Sequence, residues 1–359
     1  MVHLTWEHVR SGGGIDFDYF WDAGGKALNR RAADCYLPHL TAAGRILPPL
    51  GYPPQFLLVA APLALLPYGA ALALWLILTG LAYFLSSGQP MRLAILNPPA
   101  AYNVLLGQIG FLTSALLIGG ASSIARSPLL GGALLGAIII KPHLALMIPV
   151  ALIAGREWRA CCAAAATAVV LLAGAAFAFG PNIYADWWRS ASQYGDILQS
   201  GFWHWNKIAS AYGTLRWSGL GNLAAILGQL VLAALSATLV AISWRQRWPS
   251  KVSVLAAASL LAPPYLFSYD AVMMIAPLGY FAASRSWKAV AIWVLMLEPL
   301  FARMGRYNYA PVLISNLPNT LPIAAALSLF LLWKDRHEQL PESHQYGGPI
   351  PAPFFFTRA

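Results

Sequence analysis

Apolar stretches bounded by glycine, proline and small charged clusters recur along this chain from about residue 55 to residue 333. This pattern limits the possible folds more than any other feature. Asp, Glu, Lys and Arg make up 10% of the 359 residues, against about 25% in a typical soluble domain. So little charge cannot cover the surface of a water-soluble globule. The expected fold is therefore all-α: a polytopic membrane helix bundle. A nucleic-acid-binding protein, a disulfide-stapled secreted domain and a disordered chain are all disfavoured.

The apolar stretches lie near residues 55–66, 68–86, 93–105, 108–125, 129–140, 143–154, 158–179, 222–244, 252–267, 269–284, 287–302 and 312–333. Several fall short of the roughly 20 residues that span a bilayer. Those flanked by proline, 55–66 and the pair around Lys141-Pro142-His143, are expected to be half-helices or broken helices. Irregular backbone at membrane depth is tolerated only inside protein or beside a water-filled cavity, so a cavity is expected there.

Charge orients the bundle. Compact basic clusters stand at Arg92, Arg126, Arg156/Arg159, Arg245/Arg247/Lys251, Arg285/Lys288 and Lys334/Arg336. The positive-inside rule assigns these short loops to the cytoplasm. Two long polar segments, 1–54 and about 181–221, then fall on the exoplasmic side with most of the acids. Three parts are expected: a first exoplasmic segment with a juxtamembrane helix over 1–54, a transmembrane bundle over 55–333, and a disordered cytoplasmic tail over 334–359. The net charge of +10 is then mostly topology and contact with anionic membrane lipids, not a nucleic-acid patch. The three cysteines define no framework, and no Cys/His spacing suggests zinc. No signal peptide, HExxH, P-loop or GxGxxG fingerprint is present, and no metal or cofactor is expected.

The residues suited to chemistry are few. Asp16, Asp18 and Asp22 stand among aromatics in "GIDFDYFWDAGGKAL". A carboxylate at a membrane–water boundary can act as general base towards a hydroxyl. Asp16 can equally be the N-cap of a helix starting near Phe17. Lys141, in "GAIIIKPHLALMIP", stands deep in an apolar run, between the stretches 129–140 and 143–154. An intramembrane charge is costly and marks function by default. It is placed to pair with a phosphate or with a carboxylate such as Asp270, and snorkelling is the structural alternative. His143 beside it reads either as a ligand contact or as a packed core histidine. In "APPYLFSYDAVMM", Asp270 follows a Pro-Pro break and either caps a helix or lines the cavity. Asn103 and Gln108, in "NPPAAYNVLLGQIG", either bind sugar hydroxyls or tie neighbouring helices. The Trp203–His204–Trp205–Asn206 run in the second outer segment offers faces for sugar rings, or an interfacial aromatic belt.

These motifs fall in a particular order: "GIDFDYFWDAGGKAL", "GYPPQFLLVAAPLALLPYGAALALW", "NPPAAYNVLLGQIGFLTSALL", "LLGGALLGAIIIKPHLALMIPVALIAGREWRA", "FGPNIYADWW", "NKIASAYGTLRWSGLG" and "LLAPPYLFSYDAVMM". Together, over about residues 14–333, they resemble glycosyltransferase family 87 of the GT-C superfamily. The resemblance implies a GT-C bundle that uses a polyprenyl-phosphate sugar, usually mannose, at the outer leaflet of the bacterial inner membrane. The acceptor would be a glycan or glycolipid hydroxyl. It also implies an aspartate base in the first exoplasmic loop, a position that Asp16 matches, with Asp18 as the neighbouring alternative. Gln108, Lys141, Tyr269 and Asp270 match further positions of the family. Members of the family usually carry a transmembrane helix before this loop. Here fifteen residues precede Asp16, and they are not apolar enough to span. Either the start site was chosen late or this copy lacks that helix. The alternatives to an enzyme are a transporter or flippase of lipid-linked sugar and a non-catalytic membrane subunit.

Overall fold

The computed structural model describes residues 16–37, 39–40, 46–47, 49–199, 205–297 and 319–336. Among them, three helices are long and apolar enough to cross a membrane: α3 (Tyr68–Ser87), α9 (Trp158–Phe179) and α12 (Asn222–Arg245). At about 1.5 Å per residue they reach roughly 30 Å or more, the thickness of the hydrocarbon core. The segment before residue 54 holds α1 (Phe17–Leu28), a 3-10 turn (Ala32–Tyr36) and a short antiparallel pair, His39–Leu40 with Ile46–Leu47. Then come α2 (Pro54–Leu63), α4 (Met91–Leu96), α5 (Pro98–Leu106), α6 (Gly110–Ser123), α7 (Pro128–Ile140) and α8 (Pro142–Ala154). The stretch 181–221, expected as a polar exoplasmic loop, contains α10 (Ile183–Gln199) and α11 (Ala211–Trp217). The bundle closes with α13 (Lys251–Leu261), a 3-10 turn (Ser268–Met274) leading into α14 (Ile275–Ala283), α15 (Trp287–Leu295) and α16 (Leu321–Lys334).

Proline sets several boundaries. The expected stretch 93–105 is two helices, because Pro98 and Pro99 open a new helix and Asn97 before them is extended. Proline carries no N–H and disfavours helical backbone in the residue before it. Pro142 acts likewise between α7 and α8, leaving Lys141 at φ −141° and ψ 73°.

The α7–α8 break is a reversal of direction. A side chain at Gly132 would collide with the Ala160 backbone, and one at Gly136 with the Ala164 backbone. Helices α7 and α9 therefore touch backbone to backbone and run the same way, in the small-xxx-small manner of membrane helices. Because α9 starts beside the start of α7, α8 must run back between them. Lys141 thus sits at the tip of a helical hairpin. Gly132→Leu is expected to drive α7 and α9 apart and to lower the thermal midpoint of the detergent-solubilised protein, at a cost of about 1–3 kcal/mol or more. An unchanged midpoint would contradict this close contact.

The same reasoning places the basic turns. They lie at the end of the bundle away from Lys141, where Lys288 of α15 pairs with Asp335 just past α16. Arg156, Arg247 and Arg285 each adopt positive φ in a short turn after a helix. Glycine usually fills that position. Arginine accepts strain there and sets a cation near a helix C-terminus. The core is continuous through α13 and α14, where nearly every residue is buried, and a second cluster joins α1, α2 and α3 around Phe17, Phe20, Phe56 and Trp75. Cys35 is buried in this second cluster, and burial pushes its thiol up to about 12, which disfavours the thiolate.

Candidate functional site

A cavity of about 440 Å³ opens where several chain reversals meet. The residue before α1, the segment leading into α2, the α5–α6 turn, the α7–α8 tip and the loop before the Ser268–Met274 turn all contribute to its wall.

Asp16 occupies the N-cap position of α1, but its side chain makes no capping hydrogen bond. Instead, Gln108 Nε2 donates to Asp16 Oδ2 at 2.9 Å. The Asp16 backbone N–H donates to the Leu106 carbonyl at 3.0 Å, pinning the start of α1 to the end of α5. Gly107 makes this contact possible. Its φ is +66°, and a Cβ there would lie 2.6 Å from the Cβ of Phe17. Gly107→Ala is expected to cost about 1–2 kcal/mol in left-handed strain alone, with the clash added to it. It should lower the thermal midpoint and the activity together; loss of neither would contradict the packing described.

Asp18, two residues on, lies on another side of α1 and is absent from the cavity wall, whereas Tyr19 and Phe20 line it. Burial, reinforced by the carboxylates of Asp16 and Asp18, raises the Tyr19 phenol above its ordinary value. Tyr19 therefore faces the cavity as a neutral hydroxyl.

On another part of the wall, Lys141 is 4% exposed and its Nζ lies 2.5 Å from Asp270 Oδ1. The ammonium also sits 4.5 Å from the centre of the Tyr269 ring and 5.6 Å from that of Tyr52. Cation–π contact of this kind lowers the cost of burying the charge. Asp270 is fully buried, and its Oδ2 has no hydrogen-bond partner among the described residues. Asp270 is the carboxylate that the sequence offered as a partner for Lys141. His143 lines the cavity with its ring edge-on to Tyr265, and its buried Nε2 has no partner among the described residues.

Asn103 is fully buried and does not line the cavity. Its Nδ2 donates to the carbonyls of Pro99 and Tyr269, which ties α5 to the loop before α14. Trp203 and His204 lie outside the described residues. The Trp205–Lys207 turn after them brings Asn206 and Lys207 to the cavity wall.

Sequence reasoning singled out Asp16, Gln108, Lys141, His143 and Tyr269, and all five line one cavity. It missed Tyr52, Lys207, Tyr265 and Asn319, which line it too. A signal existed for two of them, since Tyr52 and Tyr265 flank Pro-Pro pairs that break helices. Lys207 and Asn319 carried no such mark. Among the described residues no group of three His, Cys, Asp or Glu side chains is arranged to hold a metal ion.

The wall therefore combines a half-buried carboxylate, a neutralised lysine, a second lysine, amides and aromatic rings. Such a set can accept a proton, hold an anionic group and stack on an apolar ring face. Comparison with known proteins finds a match to the family model described as glycosyltransferase family 87 over residues 50–268. No curated protein and no solved structure matches. Asp16, Tyr269, Asp270 and Asn319 lie outside the matched span but close on the same cavity or its ion pair.

Proposed function

Because the chain belongs to glycosyltransferase family 87, and is thus a membrane glycosyltransferase, we propose that its cavity transfers a sugar, mannose first among candidates, from a polyprenyl-phosphate donor to a hydroxyl of a glycan or glycolipid. The proposed setting is the outer face of a bacterial inner membrane. The observation that carries this reading is the cavity wall itself: one carboxylate, Asp16, is held by a side-chain amide in the same cavity as Lys141 and Lys207.

In the proposed reaction the acceptor oxygen attacks the anomeric carbon with inversion. The bond between that carbon and the phosphate oxygen breaks, and polyprenyl phosphate leaves with the bonding pair. Asp16 takes the acceptor proton. The transition state has oxocarbenium character, as in glycoside chemistry generally. Fixed cations stabilise the charge that develops on the departing phosphate. Lys141 is well shared with Asp270, so Lys207 is proposed as the second cation for that charge. Tyr19, Phe20, Tyr265 and Phe267 offer ring faces to the sugar and the first lipid units.

The donor class is tested in proteoliposomes with two labelled donors, polyprenyl-phosphate mannose and GDP-mannose, and a bacterial lipid extract as acceptor. Label is expected to enter a glycoside only from the lipid-linked donor. Transfer from the nucleotide sugar alone would refute the donor assignment.

A further inference from the structure

The Gln108 amide is a candidate for more than sugar binding, because every polar atom of its side chain is already engaged. Its Oε1 accepts the Ile109 backbone N–H at 3.2 Å and the Tyr52 hydroxyl at 3.1 Å. Its Nε2 donates to Asp16 Oδ2 at 2.9 Å. A backbone N–H can only donate, so its approach fixes which end of the amide is oxygen. The NH2 end must then face Asp16. Gln108 is 5% exposed, so the amide cannot turn to water without leaving Ile109 N–H unpaired, a costly step in a buried place.

We propose that Gln108 is the positioning residue for Asp16, with Tyr52 locking the Gln108 amide in its donating orientation. The chain of contacts runs Tyr52 hydroxyl to Gln108 Oε1, then Gln108 Nε2 to Asp16 Oδ2. It deepens the reading of Asp16 as the base and rests on that reading. The consequence is twofold. The donated hydrogen bond favours the ionised carboxylate, which a base must be in order to accept a proton. It also holds the carboxylate group in one orientation on the cavity wall. The device joins three remote pieces of sequence: the residue before α1, the lead into α2 and the α5–α6 turn. The Leu106–Gly107–Gln108 turn supplies two of its anchors, one from the Leu106 carbonyl and one from the Gln108 side chain.

The test reads the Asp16 carboxyl directly. Infrared pH titration of the protein in proteoliposomes, with the Asp16→Asn spectrum subtracted, isolates its protonation. Gln108→Leu removes the donor and is expected to raise the Asp16 midpoint by about one pH unit, the scale of one hydrogen bond to a charged group. The acid limb of the transfer rate should move to higher pH by the same amount, because the rate requires the ionised form. Tyr52→Phe keeps the ring, removes one of the two donors that hold the amide oxygen, and is expected to move the midpoint in the same direction by less. If Gln108→Leu does not fold, Tyr52→Phe decides alone. A midpoint unchanged in the folded variants would overturn the positioning role. That result is separable from failure of the base assignment, which would appear as full transfer by Asp16→Asn whatever the titration of Gln108→Leu.

Discussion

Asp16→Asn lowers sugar transfer by about 10²- to 10⁴-fold, the usual contribution of a general base, and leaves the thermal midpoint close to that of the wild type. Both halves follow from local geometry. An amide has the shape of the carboxylate and its oxygen still accepts from Gln108 Nε2, so the contact that holds the start of α1 survives. The Asp16 side chain does not cap α1, so no capping energy is lost. What disappears is the capacity to take a proton. Initial rates with labelled polyprenyl-phosphate mannose, set beside thermal unfolding of the same preparations, check the two halves together. Asp18→Asn is the natural comparison, since Asp18 lies off the cavity wall. It is expected to retain most of the transfer rate. The reverse ranking of the two variants would move the base to Asp18.

Lys141→Met has the second large effect, and here stability falls as well as activity. Removing one partner of a buried ion pair costs about 3–5 kcal/mol, because the other charge is left buried and uncompensated. Asp270 would be that charge: it is fully buried and its other oxygen already lacks a partner among the described residues. Replacing both partners by apolar groups of similar volume is often neutral. The Lys141→Met/Asp270→Leu double variant should therefore recover most of the thermal midpoint. It should not recover transfer, if Lys141 helps to hold the donor phosphate. A double variant with wild-type transfer would reduce the pair to a structural one. A single variant that melts with the wild type would show that the pair does not stabilise the hairpin tip.

Much of the architecture was legible in the sequence because its signals are local. Apolar runs end where glycine, proline or charge ends them, so nearly every expected stretch between 55 and 295 corresponds to a helix or a pair of helices. The basic clusters mark the turns away from the cavity because short loops carry them. Polar helices were less legible. Residues 183–199 form a helix of mixed polarity, which a search for apolar runs passes over. Nor did any pattern announce the π-type turn of Ala115–Gly119 within α6, where packing rather than propensity decides.

The site shows the same division. Lys141 stood out because a charge in an apolar run is costly, and Asp270 was named as a partner although 129 residues separate them. The contact between Asp16 and Gln108 spans 92 residues and joins two ordinary polar side chains. Nothing in local composition couples them, and only the close packing at Gly107 brings them together. Asn103 and Gln108 looked equivalent in sequence, five residues apart in one motif. The α5–α6 turn separates them, sending Asn103 into the bundle and Gln108 to the cavity.

The most direct measurement follows the label. Sealed proteoliposomes holding the wild type or Asp16→Asn are given polyprenyl-phosphate [³H]mannose and a bacterial lipid extract, and the products are separated after mild acid, which cleaves the phosphate-linked sugar and spares a glycoside. Acid-stable label should accumulate with the wild type, with release of polyprenyl phosphate, and remain near background with Asp16→Asn. Label that crosses the bilayer while staying acid-labile, or acid-stable label at equal rates from both proteins, would contradict base-assisted transfer in this cavity.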